Sequence, residues 1–394
     1  MKKKIVWRRV IVVVVVAIVV MVVIVGTLGL VTSGKVGPEE WRHNRRGLAL
    51  FKEGQYVQAR LEFSKAIELK PDWATAYDNR GDTYYKTNDL DKAIADYSKA
   101  IELKPERARA FRDRGLAYFD KGNLYKALDD FNKAIELNPD YADAYNNRGR
   151  THNKTGDPEK AIADFSKAIE LDSDFRAAYN NRGLVYIDKG DLDKALADLN
   201  KAIELNPDSA ILYDNRGTAY VKKGEIDKAL ADFNKAIELK PDYANPYSHR
   251  GRAYIDKGDL DKALADLDMA IKLKSNYAEA YNNRGSAYNR KGDFDKALVD
   301  FNKAIELKPD FAEAYNNRGH AYYMKRDLDK SLADLNKAIE LKPDFAMAYK
   351  NRGRAYIYKG DLDKALADLN KAIELSDDPE VMREALQLLD KTRQ

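Results

Sequence analysis

From Glu40 to Pro379 the sequence repeats itself every 34 residues, ten times, with no insertion or deletion. The units begin at Glu40, Ala74, Ala108, Ala142, Arg176, Ala210, Ala244, Ala278, Ala312 and Ala346. Counting places within the unit, glycine stands at place 8 in all ten, from Gly47 to Gly353, and alanine at place 27 in all ten, from Ala66 to Ala372. Place 20 is alanine except at Ser331. A period of this length makes each unit one small supersecondary piece that cannot bury its apolar face alone. Neighbours must stack, and the core runs continuously through the stack. The period therefore overrides the two or three globular domains that 394 residues would otherwise suggest.

Each unit reads as two helices. In the unit from Ala210, Tyr213, Gly217 and Tyr220 are spaced four and three apart and share one helix face. Gly224 ends that helix in the left-handed position that eight of ten units fill with glycine; Asn88 adopts it readily and Arg326 only at a cost. Glu225, an aspartate in most other units, then caps the second helix or favours its positive end. Ala229, Phe233, Ala236 and Ile237 form the inner face of that helix, and Pro241-Asp242 closes the unit, with the aspartate placed to cap the next helix. Gly217 and Ala229 let the two backbones approach, and the aromatics fill what space remains.

This pattern resembles the tetratricopeptide repeat family over 340 of 394 residues: an aromatic at place 4, glycine at 8, tyrosine at 11, alanine at 20, an aromatic or leucine at 24, alanine at 27 and proline at 32. The departures are local. His43 replaces the aromatic at place 4, Leu50 and His152 replace tyrosine, and Ser173, Ser275 and Asp377 replace the closing proline. The resemblance implies an all-α, right-handed superhelical solenoid of ten units (40–73, 74–107, 108–141, 142–175, 176–209, 210–243, 244–277, 278–311, 312–345 and 346–379), its concave groove lined by the first helices. Residues 380–394 read as a capping helix whose stripe of Val381, Ala385, Leu388 and Leu389 covers the last repeat.

The N-terminus is a separate device. Residues 1–9 carry five basic side chains, and 10–31 are almost wholly Val, Ile, Leu and Met. At about 1.5 Å per residue such a run reaches roughly 33 Å as a helix, enough to cross a membrane. Residues 32–39, with Gly34, Gly37 and Pro38, read as a linker. The basic start places the N-terminus in the cytoplasm and the body on the extracytoplasmic side of a single-pass protein. The alternative is a signal peptide cleaved near Ser33, giving a secreted body.

Beyond the first nine residues, 63 basic and 64 acidic residues nearly cancel, which leaves no footprint for nucleic acid. There is no cysteine, and the four histidines (His43, His152, His249, His320) sit in different units, never at metal-ligand spacing. No phosphate-binding glycine loop or nucleophile elbow occurs. The chain is expected to be no enzyme and to need no cofactor or metal.

Two features recur in every unit beyond the family pattern: arginine at place 7, from Arg46 to Arg352, and an acid at place 23, from Glu62 to Asp368. The two are expected to pair, within a hairpin or with its neighbour, and the alternative has the arginines facing the groove. The resemblance puts groove-facing residues at places 2, 5, 6, 9, 12 and 13. Place 6 is asparagine seven times: Asn79, Asn147, Asn181, Asn215, Asn283, Asn317 and Asn351. In some tetratricopeptide proteins such a ladder binds the backbone of an extended ligand, since an amide offers both donor and acceptor. The plainer reading is a solvated helix face. Arg150, Arg252 and Arg354 at place 9 add positive charge to the groove. The family's carboxylate clamp is not matched. The expected partner is thus a protein or peptide segment held in the groove, with a membrane contact through 10–31; the alternative is a structural role through homo-oligomers.

Overall fold

The computed structural model describes residues 38–376 and 378–392. The membrane span expected at 10–31, its basic flank and the linker as far as Gly37 lie outside the described residues. Among the described residues, no helix is long and apolar enough to cross a membrane, and all regular structure is helical, in 21 helices.

The helices fall into two blocks, divided at Leu171 and Asp172. The N-terminal block contains α1 (Glu39–Lys52), α2 (Tyr56–Leu69), α3 (Ala74–Lys86), α4 (Leu90–Leu103), α5 (Ala108–Asp120), α6 (Leu124–Leu137), α7 (Ala142–Lys154) and α8 (Pro158–Leu171). The C-terminal block opens with α9 (Arg176–Lys189), α10 (Leu192–Leu205), α11 (Ala210–Lys222), α12 (Ile226–Leu239), α13 (Ala244–Lys257) and α14 (Leu260–Leu273). It continues with α15 (Ala278–Lys291), α16 (Phe294–Leu307), α17 (Ala312–Met324), α18 (Leu328–Leu341), α19 (Ala346–Lys359), α20 (Leu362–Leu375) and α21 (Pro379–Thr392). Odd-numbered helices up to α19 are the first of each hairpin and even-numbered ones the second.

Within each block every helix packs on the next in sequence, and the first helices of successive hairpins also touch, whereas the second helices do not. Each row therefore bends with its first helices inside. The small residues set the spacing within a hairpin. A Cβ built on Gly217 of α11 would lie 2.5 Å from Cε1 of Phe233 on α12, so any side chain there would push the ring out of its slot. Phe233, Ala229 and Ala236 are fully buried. Burying a ring of that size is worth roughly 2–3 kcal/mol, more than the about 1 kcal/mol that glycine costs inside a helix.

The left-handed turn between the helices has φ near +80° at its eight glycines, and Asn88 and Arg326 adopt φ +60° and +65° in the remaining two. After the turn, Asp259, Asp293, Asp327 and Asp361 each accept a hydrogen bond from the backbone N–H three residues on, while Glu225 makes no such bond and pairs with Lys228. The aspartates that close a unit do not cap the next helix. Tyr243 holds the N-cap position of α13 with no side-chain bond, because Asp242 lies one residue too early to reach the first free N–H groups.

The ends of the array differ from its middle. Places 3 and 10 of interior first helices are buried, as at Ala348 and Ala355, but α1 exposes Arg42 and Ala49 there. At the other end, Ala385, Leu388 and Leu389 of α21 close over Leu369 and Ala372, and Val381 is buried.

Candidate functional site

The arginines at place 7 belong to the frame rather than to the groove. From Arg80 with Asp96 to Arg352 with Asp368, each guanidinium makes a two-pronged ion pair with the acid sixteen residues on. In the middle of the array, Arg216 Nε and Nη2 donate to Asp232 at 2.8 and 2.7 Å. Nη1 of Arg216 reaches back to Asn200 in the preceding hairpin at 2.7 Å. The ring of Tyr213 lies 5.5 Å under the guanidinium. Asp232 is nearly buried, and its hydrogen bonds push Arg216 above the usual arginine range. The first unit differs: Glu62 takes His43 at 2.7 Å and Lys65 at 3.3 Å.

The asparagines at place 6 face the inner side of each row and reach toward the first helix before them. Asn79 Nδ2 donates to Asn44 Oδ1 at 2.9 Å, Asn215 to Asn180 at 2.8 Å, Asn317 to Asn282 at 3.0 Å and Asn351 to Asn316 at 2.9 Å. Asn283 makes a longer bond, 3.4 Å, to Ser248 Oγ. Asn147 is buried on α7, where its Oδ1 accepts from Arg150 at 3.4 Å, and Asn181 is half-buried on α9. The ladder thus links first helices, and one donor of each linking amide is occupied by the protein itself.

In the N-terminal block this inner face is charged and self-paired. Arg107 Nη2 lies against the fully buried carboxylate of Asp78, an ion contact that leaves neither oxygen with an aligned hydrogen bond. Arg109 bridges Asp82 at 2.6 Å and Asp113 at 3.1 Å, and Arg112 reaches Asp113 at 2.9 Å and Tyr141 Oη at 2.9 Å. Tyr97 Oη donates to Asp82 at 2.8 Å. Burial pushes Asp78 up to about 6 and Asp113 up to about 6, against the pull of these arginines. Arg150 stacks 4.8 Å from the ring of Phe119.

In the C-terminal block the same places enclose an open concavity of about 670 Å³. Three successive rungs line it. The first brings Asn245, Ser248, His249, Arg252, Lys274 and Tyr277; the second Glu279, Asn282, Asn283 and Phe311; the third Glu313, Asn316, Asn317 and Phe345, with Met347 of the following unit beside them. His249 Nδ1 is 2.7 Å from Oδ1 of the buried Asp214, which fixes the ring. Lys308 and Lys342 lie over the rings of Phe311 and Phe345 and pair with Glu279 and Glu313 at 3.6 and 3.7 Å.

The cavity therefore gathers Asn283, Asn317 and Arg252 from the residues singled out in the sequence. Asn79, Asn147, Asn181, Asn215, Asn351, Arg150 and Arg354 lie elsewhere along the inner faces. Arg354 is held by Glu384 of α21 at 3.1 Å, together with Lys350 at 2.7 Å. Sequence reasoning missed the place-34 aromatics Tyr277, Phe311 and Phe345 and the place-31 lysines. Their recurrence at one place was the available signal. Among the described residues no three metal-ligating side chains converge.

Models of the TPR repeat match residues 47–88, 81–122, 115–156, 183–224, 217–255, 251–292 and 285–325, and a model of the tetratricopeptide repeat matches 142–175, 312–345 and 346–379. None of the curated proteins compared with the chain matches it. Among solved structures, yeast Tom70 is 19% identical over 90% of this chain and 95% of its own, with a TM-score of 0.50. A tetratricopeptide repeat protein from Parabacteroides merdae is 23% identical over 63% of this chain and 98% of its own, with a TM-score of 0.53. YrrB, described as a TPR protein with an unusual peptide-binding site, is 32% identical over 47% of this chain and 95% of its own, with a TM-score of 0.37. The matched repeats cover far more than half of the sequence, and the chain belongs to the tetratricopeptide repeat family.

Proposed function

We propose that the protein is a scaffold that holds an extended segment of another protein in the inner face of its C-terminal block. The observation that carries this reading is the concavity of about 670 Å³, walled by Tyr277, Phe311 and Phe345 and floored by Asn282, Asn283, Asn316 and Asn317. Aromatic walls supply apolar contact, and the amide oxygens that the ladder leaves partly free accept from a peptide backbone. On the N-terminal inner face the corresponding places carry Arg107, Arg109, Arg112 and Asp113, which pair with one another and with Asp78 and Asp82.

A photo-crosslinking amino acid at Met347, inside the cavity, is expected to trap another polypeptide in cells producing the full chain. The same group at Tyr125, exposed on the outer side of α6, is expected to trap none. Equal trapping from both positions, or none from Met347, would remove the groove from consideration.

The apolar run from Val10 to Val31 supports a membrane tether, with the N-terminus cytoplasmic and the repeats on the opposite side. Carbonate extraction of membranes should leave the full chain in the pellet, and external protease should digest the repeats in right-side-out vesicles. Release into the soluble fraction as a shortened chain would favour cleavage near Ser33 instead.

A further inference from the structure

The three rungs of the cavity are not equivalent. In the second and third, the lysine stacked on the aromatic has a carboxylate partner at place 2 of its own repeat: Lys308 with Glu279 and Lys342 with Glu313. In the first rung the lysine is Lys274, stacked 4.5 Å from the centre of Tyr277, but place 2 is Asn245. Among the described residues Lys274 has no carboxylate within ion-pair distance. Arg252 lines the same end of the cavity, half exposed, and its one ion pair is a long one to Asp256 on its own helix, at 3.3 Å. The first rung thus carries one cation, Lys274, without a carboxylate across from it, beside Arg252, which pairs only within its own helix, while the lysines of the other two rungs are matched by Glu279 and Glu313.

The chain itself shows what such a place takes. Arg354 is the place-9 arginine of the last repeat, as Arg252 is of the seventh. With Lys350 it grips one carboxylate oxygen of Glu384, which α21 brings in at the position where the first helix of a further repeat would lie. The pair of cations in the cavity has no such helix carboxylate in front of it.

Resting on the reading that this cavity holds an extended segment, we propose that Lys274 and Arg252 select an acidic side chain in that segment. The carboxylate stands where Glu279 and Glu313 stand in the neighbouring rungs. In those rungs Lys308 and Lys342 already hold a carboxylate of the protein, so an acid further along gains no partner there, and the selected segment carries its aspartate or glutamate at the Lys274 end.

The test uses the full chain and two pools of blocked decapeptides, fluorescently labelled and free of acidic residues except at one central position. That position is Glu in one pool and Gln in the other. The Glu pool should bind about tenfold more tightly, the scale of one charge-assisted contact. Lys274→Asn and Asn245→Glu should each erase that difference while leaving binding of the Gln pool within about twofold. Both substitutions install residues the repeat already accepts, since Asn138 and Asn206 hold the lysine place and Glu279 and Glu313 the asparagine place.

Equal binding of the two pools by the unmodified chain, or a preference that survives both variants, would overturn the acidic anchor. The groove reading would then still stand if Met347→Trp, which fills the cavity, abolished binding of both pools. If neither pool binds the unmodified chain, both ideas fall together. Displacement of the Glu pool by a single-stranded oligonucleotide at equal concentration would also overturn it, by pointing to phosphate rather than carboxylate.

Discussion

At corresponding places of the same unit, the N-terminal block carries Arg107, Arg109, Arg112 and Asp113, and the C-terminal block carries Tyr277, Glu279, Asn282 and Asn283. The helices and the core behind these residues are alike in both blocks. In the first, the arginines close on Asp78, Asp82 and Asp113. In the second, uncharged amides and rings leave a cavity open. The comparison separates two things that one repeat sequence encodes: a frame fixed by invariant places, and an inner face whose availability depends on whether its charges find partners inside the protein.

The largest expected effect tests the shared frame. Arg114→Ala and Arg216→Ala each strand a nearly buried aspartate, Asp130 or Asp232, and should each cost about 3 kcal/mol or more, read as a lowered urea midpoint. A large loss in only one block would break the premise that the frames are equivalent.

The next separates the inner faces. Arg107→Ala should cost about 2 kcal/mol by leaving Asp78 alone in the interior. Lys274→Asn should change stability by only about 0.5 kcal/mol, because it is exposed and loses the stack on Tyr277 alone. Trp41 and Trp73, whose rings are 5.0 Å apart, give a fluorescence signal for the first block, and hydrogen exchange follows the second.

Acidification should move the blocks in opposite directions. Asp78 and Asp113 are raised from 3.8 to about 6, so between roughly pH 4 and 6 the folded state binds more protons than the unfolded one. These two carboxyls therefore add stability to the N-terminal block as the pH falls from 7 to 5, opposed there by His152, which burial lowers. Burial, with help from Arg354 and Lys350, lowers His320 from 6.5 to about 4, so there the unfolded state binds the extra proton. The C-terminal block loses stability over the same interval. Hydrogen exchange corrected for intrinsic pH dependence checks this, and a common direction in both blocks would contradict the electrostatic contrast.

The smallest effect concerns Arg326, held at φ +65° with its guanidinium 5.1 Å from the centre of the Tyr358 ring. Arg326→Gly relieves about 1 kcal/mol of backbone strain and forfeits about 0.5 kcal/mol of cation–π attraction, for a slight net gain in the thermal midpoint. A loss would show that the stacked arginine outweighs its backbone.

Much of the frame was legible in the sequence because its parts recur without exception. An arginine and an acid at the same two places of all ten units announce a pair, although in the first unit Glu62 takes His43 and Lys65 instead, and Gly217 facing Phe233 follows from their fixed offset. The inner face was harder to read. Whether Asn317 offers its amide to a ligand or to Asn282 depends on the gap between two helices 35 residues apart in that pair, which no local pattern encodes. Arg354 looked available until α21 brought Glu384 against it. Continuing the 34-residue count past Pro379 puts Glu384 at place 5, beside the groove, so that contact could have been anticipated. The match of Arg107 to Asp78 could not, because it arises where the repeat departs from its own rule.

The invariant arginine reaches sixteen residues ahead to its acid and sixteen behind to the previous hairpin, as Arg216 does to Asp232 and Asn200. Within each block the backward acceptor is a polar residue at a fixed place: Ser64 and Ser98, Asn132 and Asn234, or Asp268. A recombination event within a block that inserts or removes a whole number of units rejoins each of these arginines with an acid ahead and a polar acceptor behind, although a splice at a seam such as that of Arg109 and Asp82 would strand a charge. The number of hairpins can thus drift between generations at little energetic cost, while a slip of even one codon inside a unit would be felt at once.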